Sequence, residues 1–286
     1  MASLKEIKGR IESVRSTRKT TSAMKMVAAA KLHRAQRDIG SLVPYSEELQ
    51  TIVAHLATGE GVGQIPLAEK REPRRVRVVG FASNSTLCGA YNANVAKGVR
   101  KALEWYEKEG AEEVAVTTMG HRLSVELARD GIAYTEGDSS LAEHPDYAQY
   151  RQMAEGLMEE FLRGEADCVE LVYYKFLSAG SQQLVCERLL PIEMPQGGDG
   201  REDVPYILEP SKQGLIESVV PRQVALKLYT VALSAVASEH AARMMAMQVA
   251  TDNADELIKE LSVEYNKQRQ QAITTELLDI VGGQKR

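Results

Sequence analysis

The residues best placed for chemistry lie in Ala82-Ser83-Asn84-Ser85-Thr86-Leu87-Cys88-Gly89-Ala90-Tyr91-Asn92, between an apolar run and a helical pattern. A loop in that position cradles phosphate when it carries three glycines at fixed spacing or a Gly-Lys-Ser/Thr triplet. Here Gly89 stands alone and no Lys follows it, so the glycine is read as serving the turn. Ser, His and acidic residues occur elsewhere, but no elbow motif sets up a nucleophile. Asp252, Asp255, Glu256 and Glu260 are interspersed with Lys259 and Lys267 along a helical pattern. They read as solvated or pairing charges, not as an acid–base dyad. His33, His55, His121, His144 and His240 are scattered, with no HExxH. Cys88, Cys168 and Cys186 form no CxxC and no metal spacing, which fits a reducing compartment. Cys168 and Cys186 fall in neighbouring predicted strands and are expected to be buried thiols. The expectation is therefore no catalytic residue, no cofactor and no metal site in this chain.

What must be positioned, then, is surface. From Arg222 to Val281 there is no Gly or Pro, with Pro221 before the run and Gly282-Gly283 after it. Pro suits the first turn of a helix and Gly its exit. A helix of that length would run ~90 Å at 1.5 Å per residue, against an average of ~11–12 residues in globular proteins. It needs another helix, a partner protein, or both.

The N-terminal segment offers the mate. Residues 10–39 also lack Gly and Pro, and helical character begins near Ser3. Apolar residues at Leu4, Ile7, Ile11, Val14, Met24, Val27, Ala28, Leu32, Ala35, Ile39 and Leu42 trace a three-and-four spacing. The C-terminal run carries a similar seam from Leu226 and Leu233 through Ala237, Met244, Met247, Ala254, Ile258, Leu261 and Tyr265 to Ala272. Its middle is rich in Ala, so two backbones can approach closely. An antiparallel coiled coil of the two chain ends satisfies both stripes. Arg18, Thr21 and Lys25 interrupt one seam, and His240 and Thr251 the other, as local irregularity or as surface for a second protein.

The middle reads as a separate α/β unit. Strands are expected at Val76–Phe81, Glu113–Thr118, Ile132–Thr135, Cys168–Phe176 and Gln183–Leu190, with helices over Asn92–Glu109, Arg122–Arg129 and about Asp146–Leu162. Strand–helix alternation of this kind predicts a mostly parallel, Rossmann-like sheet with right-handed crossovers. The fold class is thus α/β, a long antiparallel coiled coil plus a central sheet domain. The divisions are 1–58 helix, 59–75 linker, 76–195 sheet domain, 196–210 linker and 211–286 helix.

Composition limits the partners. The chain has 286 residues, 44% apolar, with net charge −5. Residues 1–43 hold ten Lys or Arg against three Asp or Glu, while residues 211–286 balance nine against nine. A basic amphipathic helix suits RNA, an anionic membrane or an acidic protein face. No aromatics interleave with the cations for base stacking, and residues 1–43 contain no Trp or Phe to anchor in a membrane. The basic stretch therefore reads as a solvated flank of the coiled coil or as a surface for an acidic protein partner, in preference to nucleic acid. The N-terminus lacks the apolar core of a signal peptide, and no run of eighteen apolar residues exists to insert in a membrane.

The two ends also carry a family resemblance. Met1-Ala2-Ser3-Leu4-Lys5-Glu6-Ile7-Lys8-Gly9-Arg10-Ile11-Glu12-Ser13-Val14, followed by Ser22-Ala23-Met24-Lys25-Met26-Val27-Ala28-Ala29-Ala30-Lys31-Leu32, resembles the N-terminus of the gamma subunit of F-type ATP synthase. Ala250-Thr251-Asp252-Asn253-Ala254, then Leu257-Ile258, Tyr265-Asn266-Lys267, Arg269-Gln270, Ala272-Ile273-Thr274, Glu276-Leu277 and Ile280-Val281-Gly282-Gly283, resembles its C-terminus. The middle matches mainly by pattern and by Leu87-Cys88-Gly89.

The resemblance implies a central-stalk rotor of a proton-translocating ATP synthase, peripheral on the cytoplasmic face of the bacterial cell membrane. Its partners would be the alpha and beta subunits of the catalytic head, the epsilon subunit and the c-ring. Arg269, Gln270 and Thr274 match family positions that contact loops of the beta subunits. Met24 matches one near the beta-subunit lever, with Lys25 beside it. Thr20, Ser22 and Lys25 depart from the family's usual Ile, Lys and Glu, and Asn84-Ser85-Thr86 from its usual acidic, Gly-rich turn. No inserted loop with a close Cys pair is present, so the light-linked thiol switch of chloroplast relatives is not expected. Two other readings fit the bare pattern: an α/β enzyme with a helical RNA-binding arm, and a passive coiled-coil scaffold.

Overall fold

The computed structural model describes residues 4–57, 65–193, 209 and 211–283. The predicted linker 196–210 therefore lies, apart from Glu209, outside the described residues, as does 59–64 of the other. The chain divides into two compact units, one of residues 1–30 with 243–286 and one of residues 31–242. Helices α1 (Leu4–Ala57) and α6 (Lys212–Gly283) contribute to both.

The larger unit is built on β1 (Arg75–Phe81), β2 (Glu113–Met119), β3 (Thr135–Glu136), β4 (Cys168–Ser178) and β5 (Ser181–Leu190), in spatial order β3-β2-β1-β4-β5. All neighbours are parallel except the β4–β5 hairpin. β1 sits at the centre, with Val76, Val78 and Val79 fully buried, as a parallel strand covered on both faces must be. Helices α2 (Tyr91–Lys108) and α3 (His121–Arg129) pack their apolar stripes with one face, through Val95, Val99, Tyr106, Leu123 and Leu127. The other face is covered by α5 (Tyr147–Leu162) and the sheet-unit parts of α1 and α6. Short α4 (Ser139–Glu143) precedes α5, and both are capped by an Asp: Asp138 accepts from Ser140 N at 2.8 Å and Asp146 from Gln149 N at 3.1 Å. Each such cap contributes about 1 kcal/mol.

Four expectations are corrected. The predicted strand at Ile132–Thr135 reduces to Thr135–Glu136, because Ile132 N is taken by Leu127 O at the end of α3. Pro221 does not open the last helix: α6 begins nine residues earlier, at Lys212. The Ala-rich middle of α6 does not serve only a helix partner. Ser234 Oγ accepts from Phe176 N at 2.8 Å, and Ser238 Oγ donates to Tyr174 O at 2.9 Å, so small residues bring α6 against β4. Cys168 is buried, but Cys186 is exposed at the residue level. Its sulfur nonetheless faces Glu170 at 3.5 Å, and desolvation with that carboxylate pushes the thiol up to about 12.

Candidate partner-contact surface

The smaller unit is a pair of antiparallel helices, and its rungs can be read one by one. At one end Ile7 and Ile11 of α1 bury against Leu261 of α6, flanked by Val14 and Tyr265. Stepping three or four residues along α1, the seam turns polar. Arg18 Nε meets Asp255 Oδ1 at 2.8 Å, the Thr21 and Thr251 hydroxyls share a hydrogen bond of 2.8 Å, and Lys25 Nζ donates to Gln248 Oε1 at 2.6 Å. Gln248 in turn donates to both oxygens of Asp252, at 2.8 and 2.9 Å. Then Ala28 on one helix and Met247 on the other are buried again. Of the residues that interrupt the two predicted seams, Thr21 and Thr251 thus pair with each other, while Arg18 and Lys25 find polar partners in Asp255 and Gln248 across the pair.

Two seam expectations fail. Val27 is 58% exposed, because Ala28 takes the inward position and Val27 lies a hundred degrees round the helix from it. Ala272 is exposed; the register sets Leu4, the first described residue of α1, opposite about Gln268.

Beyond that level α6 has no α1 residue across from it among the described residues. Every residue from Arg269 to Leu278 is exposed, and so is Ile280. Ile273, Leu277 and Ile280 form a stripe at i, i+4, i+7, exposed by 47%, 59% and 60%, and Leu278 beside it by 66%. Three exposed large apolar residues in one helical stripe cost solubility unless another surface covers them.

In the sheet unit, the loop after β1 is closed by its own polar groups. Ser83 is buried and its hydroxyl is within hydrogen-bond distance of Ser85 O and Asn92 Oδ1. Asn84 bridges two other segments, accepting from His121 N at 2.9 Å and donating to Ser139 O at 2.6 Å. Gly120, at φ 105°, lets β2 turn beneath it: a Cβ there would lie 2.1 Å from Ala82 O. No group of three or more His, Cys, Asp or Glu that could hold a metal occurs among the described residues.

Comparison with known proteins decides the family. The ATP synthase family model matches residues 3–285. The ATP synthase gamma chain of Bacteroides thetaiotaomicron is 45% identical over 297 residues, covering 99% of each chain. That of Bacteroides fragilis is 46% identical over 287 residues, again with 99% of each covered. The chain belongs to the ATP synthase gamma-chain family. Its fold is also similar to a chain in the rotor of the Euglena gracilis mitochondrial ATP synthase, with TM-score 0.61 at 19% identity over 94% of this chain and 98% of that one. A chain of the Tetrahymena thermophila central stalk and c-ring structure gives TM-score 0.57 at 20% identity, over 81% and 99%.

Among gamma-chain positions singled out from the sequence, Met24 and Lys25 are half-buried beside the polar rungs. Arg269, Gln270 and Thr274 are exposed near the C-terminal end of α6, where Thr274 Oγ1 donates to Gln270 O at 2.8 Å. These are two separate stations. Gln248, opposite Lys25, and Arg269 are twenty-one residues apart, about 31 Å along a helix. Ile273, Leu277 and Ile280 were not singled out from the sequence as a surface stripe, although their spacing continues that of the seam. No helix among the described residues is long and apolar enough to cross a membrane.

Proposed function

We propose that this chain is the central-stalk rotor of a proton-translocating F-type ATP synthase, carrying rotation between the membrane c-ring and the catalytic beta subunits. One observation carries the reading: beyond the level of Leu4, the first described residue of α1, α6 presents Ile273, Leu277 and Ile280 in a single exposed stripe. An exposed apolar stripe on a helix fits a surrounding sleeve of other subunits, here the alpha and beta subunits of the head.

In this reading the chain makes and breaks no bonds and has no catalytic site. A shaft shifts the states of a catalytic subunit only by touching those states differently. An asymmetric helix pair does so as it turns. Arg269, Gln270 and Thr274 meet loops of the beta subunits at one station, and Met24 and Lys25 meet them at the other. The Lys25 ammonium spends one proton on Gln248, which leaves two for a partner carboxylate. The exposed cations Lys5, Lys8, Arg10, Arg15 and Lys19 on α1 suit an acidic face. The sheet unit engages the epsilon subunit and the c-ring, stretches 59–75 and 196–210 act as linkers, and the protein works peripherally at the cytoplasmic face of the bacterial membrane.

The test is reconstitution with purified alpha and beta subunits. A defined complex with one copy of this chain and higher, steadier ATP turnover is expected. Failure to assemble, or an assembled complex without added turnover, would sink the rotor assignment.

A further inference from the structure

The sheet unit contains a groove between α2 and the edge strand β5. On the α2/α3 side of the sheet, α2 covers β1 and β4, while β5 is the edge strand. One wall of the groove is the α2 stripe Gly98, Lys101, Trp105; the other is the alternating β5 positions Leu184, Cys186, Arg188. At Gly98 the helix touches the sheet, since a Cβ there would lie 3.0 Å from Val172 and 3.1 Å from Leu184. The Trp105 indole is 49% exposed, edge-on to Tyr106 at 4.6 Å between ring centroids. The groove's volume is about 510 Å³, within the ~300–1,000 Å³ range of small-molecule sites.

The floor is polar and already neutralised. The Glu170 side chain is 7% exposed; its carboxylate accepts from Tyr106 Oη at 2.6 Å and from Arg188 Nε at 3.0 Å. The Cys168 and Cys186 thiols close in at 3.6 and 3.5 Å. Arg188 and Glu170 therefore cancel, and Lys101 is left as the cation of the lining. Lys101 is exposed, and its side chain forms no hydrogen bond or ion pair among the described residues.

We propose that this groove is a binding site for a small amphipathic anion, with a flat apolar body against Trp105 and Leu184 and one negative group on Lys101. Charge complementarity selects the anion: the lining carries one net positive charge. Shape selects the flat body, because one wall carries a half-exposed indole and the other is a pleated strand. A dianion would leave one charge without a partner, and a cation would meet Lys101 and Arg188.

Trp105 is the one tryptophan of the chain and so reports on its own groove. The probe is 1-anilinonaphthalene-8-sulfonate, an aromatic body with one sulfonate, titrated into the full-length chain while indole fluorescence is followed. Saturable quenching at one probe per chain is expected. Lys101→Glu should raise the apparent Kd tenfold or more, and Lys101→Gln by less, with far-UV ellipticity unchanged because Lys101 is on the surface. Lys108→Glu, an exposed lysine at the end of the same helix and outside the groove, should leave it unchanged. Quenching that does not saturate, or that is equal in Lys101→Glu and wild type, would overturn the proposal; so would equal losses in Lys101→Glu and Lys108→Glu.

Discussion

The two units handle polar groups within packed structure in opposite ways. In the helix pair, Arg18–Asp255, Thr21–Thr251 and Lys25–Gln248 meet two at a time, partly open to water. In the sheet unit, Glu170 is buried and met by four side chains, Tyr106, Arg188, Cys168 and Cys186. The first arrangement is cheap to break, since water replaces a lost partner. The second is not, since removing one partner strands a charge in a low-dielectric interior. Polar rungs in a helical seam contribute little stability but oppose sliding, because a slip of one turn unpairs all three at once. A buried network instead fixes how α2, β4 and β5 pack.

Substitutions can break that contrast. Arg188→Ala leaves the Glu170 carboxylate without its counter-charge and should cost about 3–5 kcal/mol, toward the lower end because the Arg188 side chain is 36% exposed. Chemical denaturation of the full chain, followed through Trp105, reads this. Leu261→Ala, at the apolar rung with Ile7 and Ile11, should cost the helix pair about 2–5 kcal/mol in the far-UV melt. Lys25→Ala removes one hydrogen bond while Gln248 keeps Asp252, for about 0.5–1.5 kcal/mol in the same melt. Arg18→Ala is the smallest: its pair with Asp255 is roughly half exposed on both sides, so under about 1 kcal/mol is expected, vanishing in high salt. A polar-rung cost as large as that of Leu261→Ala would erase the distinction between the two kinds of rung.

Much of this was legible in the sequence, for reasons that differ by element. β1, β4 and α2 declare themselves because burial on both faces, or on one stripe, leaves a periodic apolar trace. The antiparallel pairing followed from two stripes that had no other mate. That Arg18, Thr21 and Lys25 interrupt a seam was visible; that they meet Asp255, Thr251 and Gln248 was not, because it depends on a register set by residues more than two hundred positions away. β3 was misjudged because the apolar Ile132 and Tyr134 mimic a strand while Ile132 N ends a helix. Val27 looked like seam because a three-residue spacing from Met24 admits either Val27 or its neighbour Ala28. The groove beside Trp105 joins α2 to a strand some eighty residues later, and no local pattern encodes it.

The central claim is that the paired part of the hairpin is structural and the exposed end of α6 is functional. The most direct measurement combines Leu277→Asp with Leu278→Asp. One compares the melt of the isolated chain with the ATP turnover of its complex with alpha and beta subunits. Both side chains are already exposed, so the melting temperature should not move, while assembly or turnover should fall at least tenfold. Full turnover in the double variant would contradict the account, as would a loss of turnover that simply tracks a lowered melting temperature.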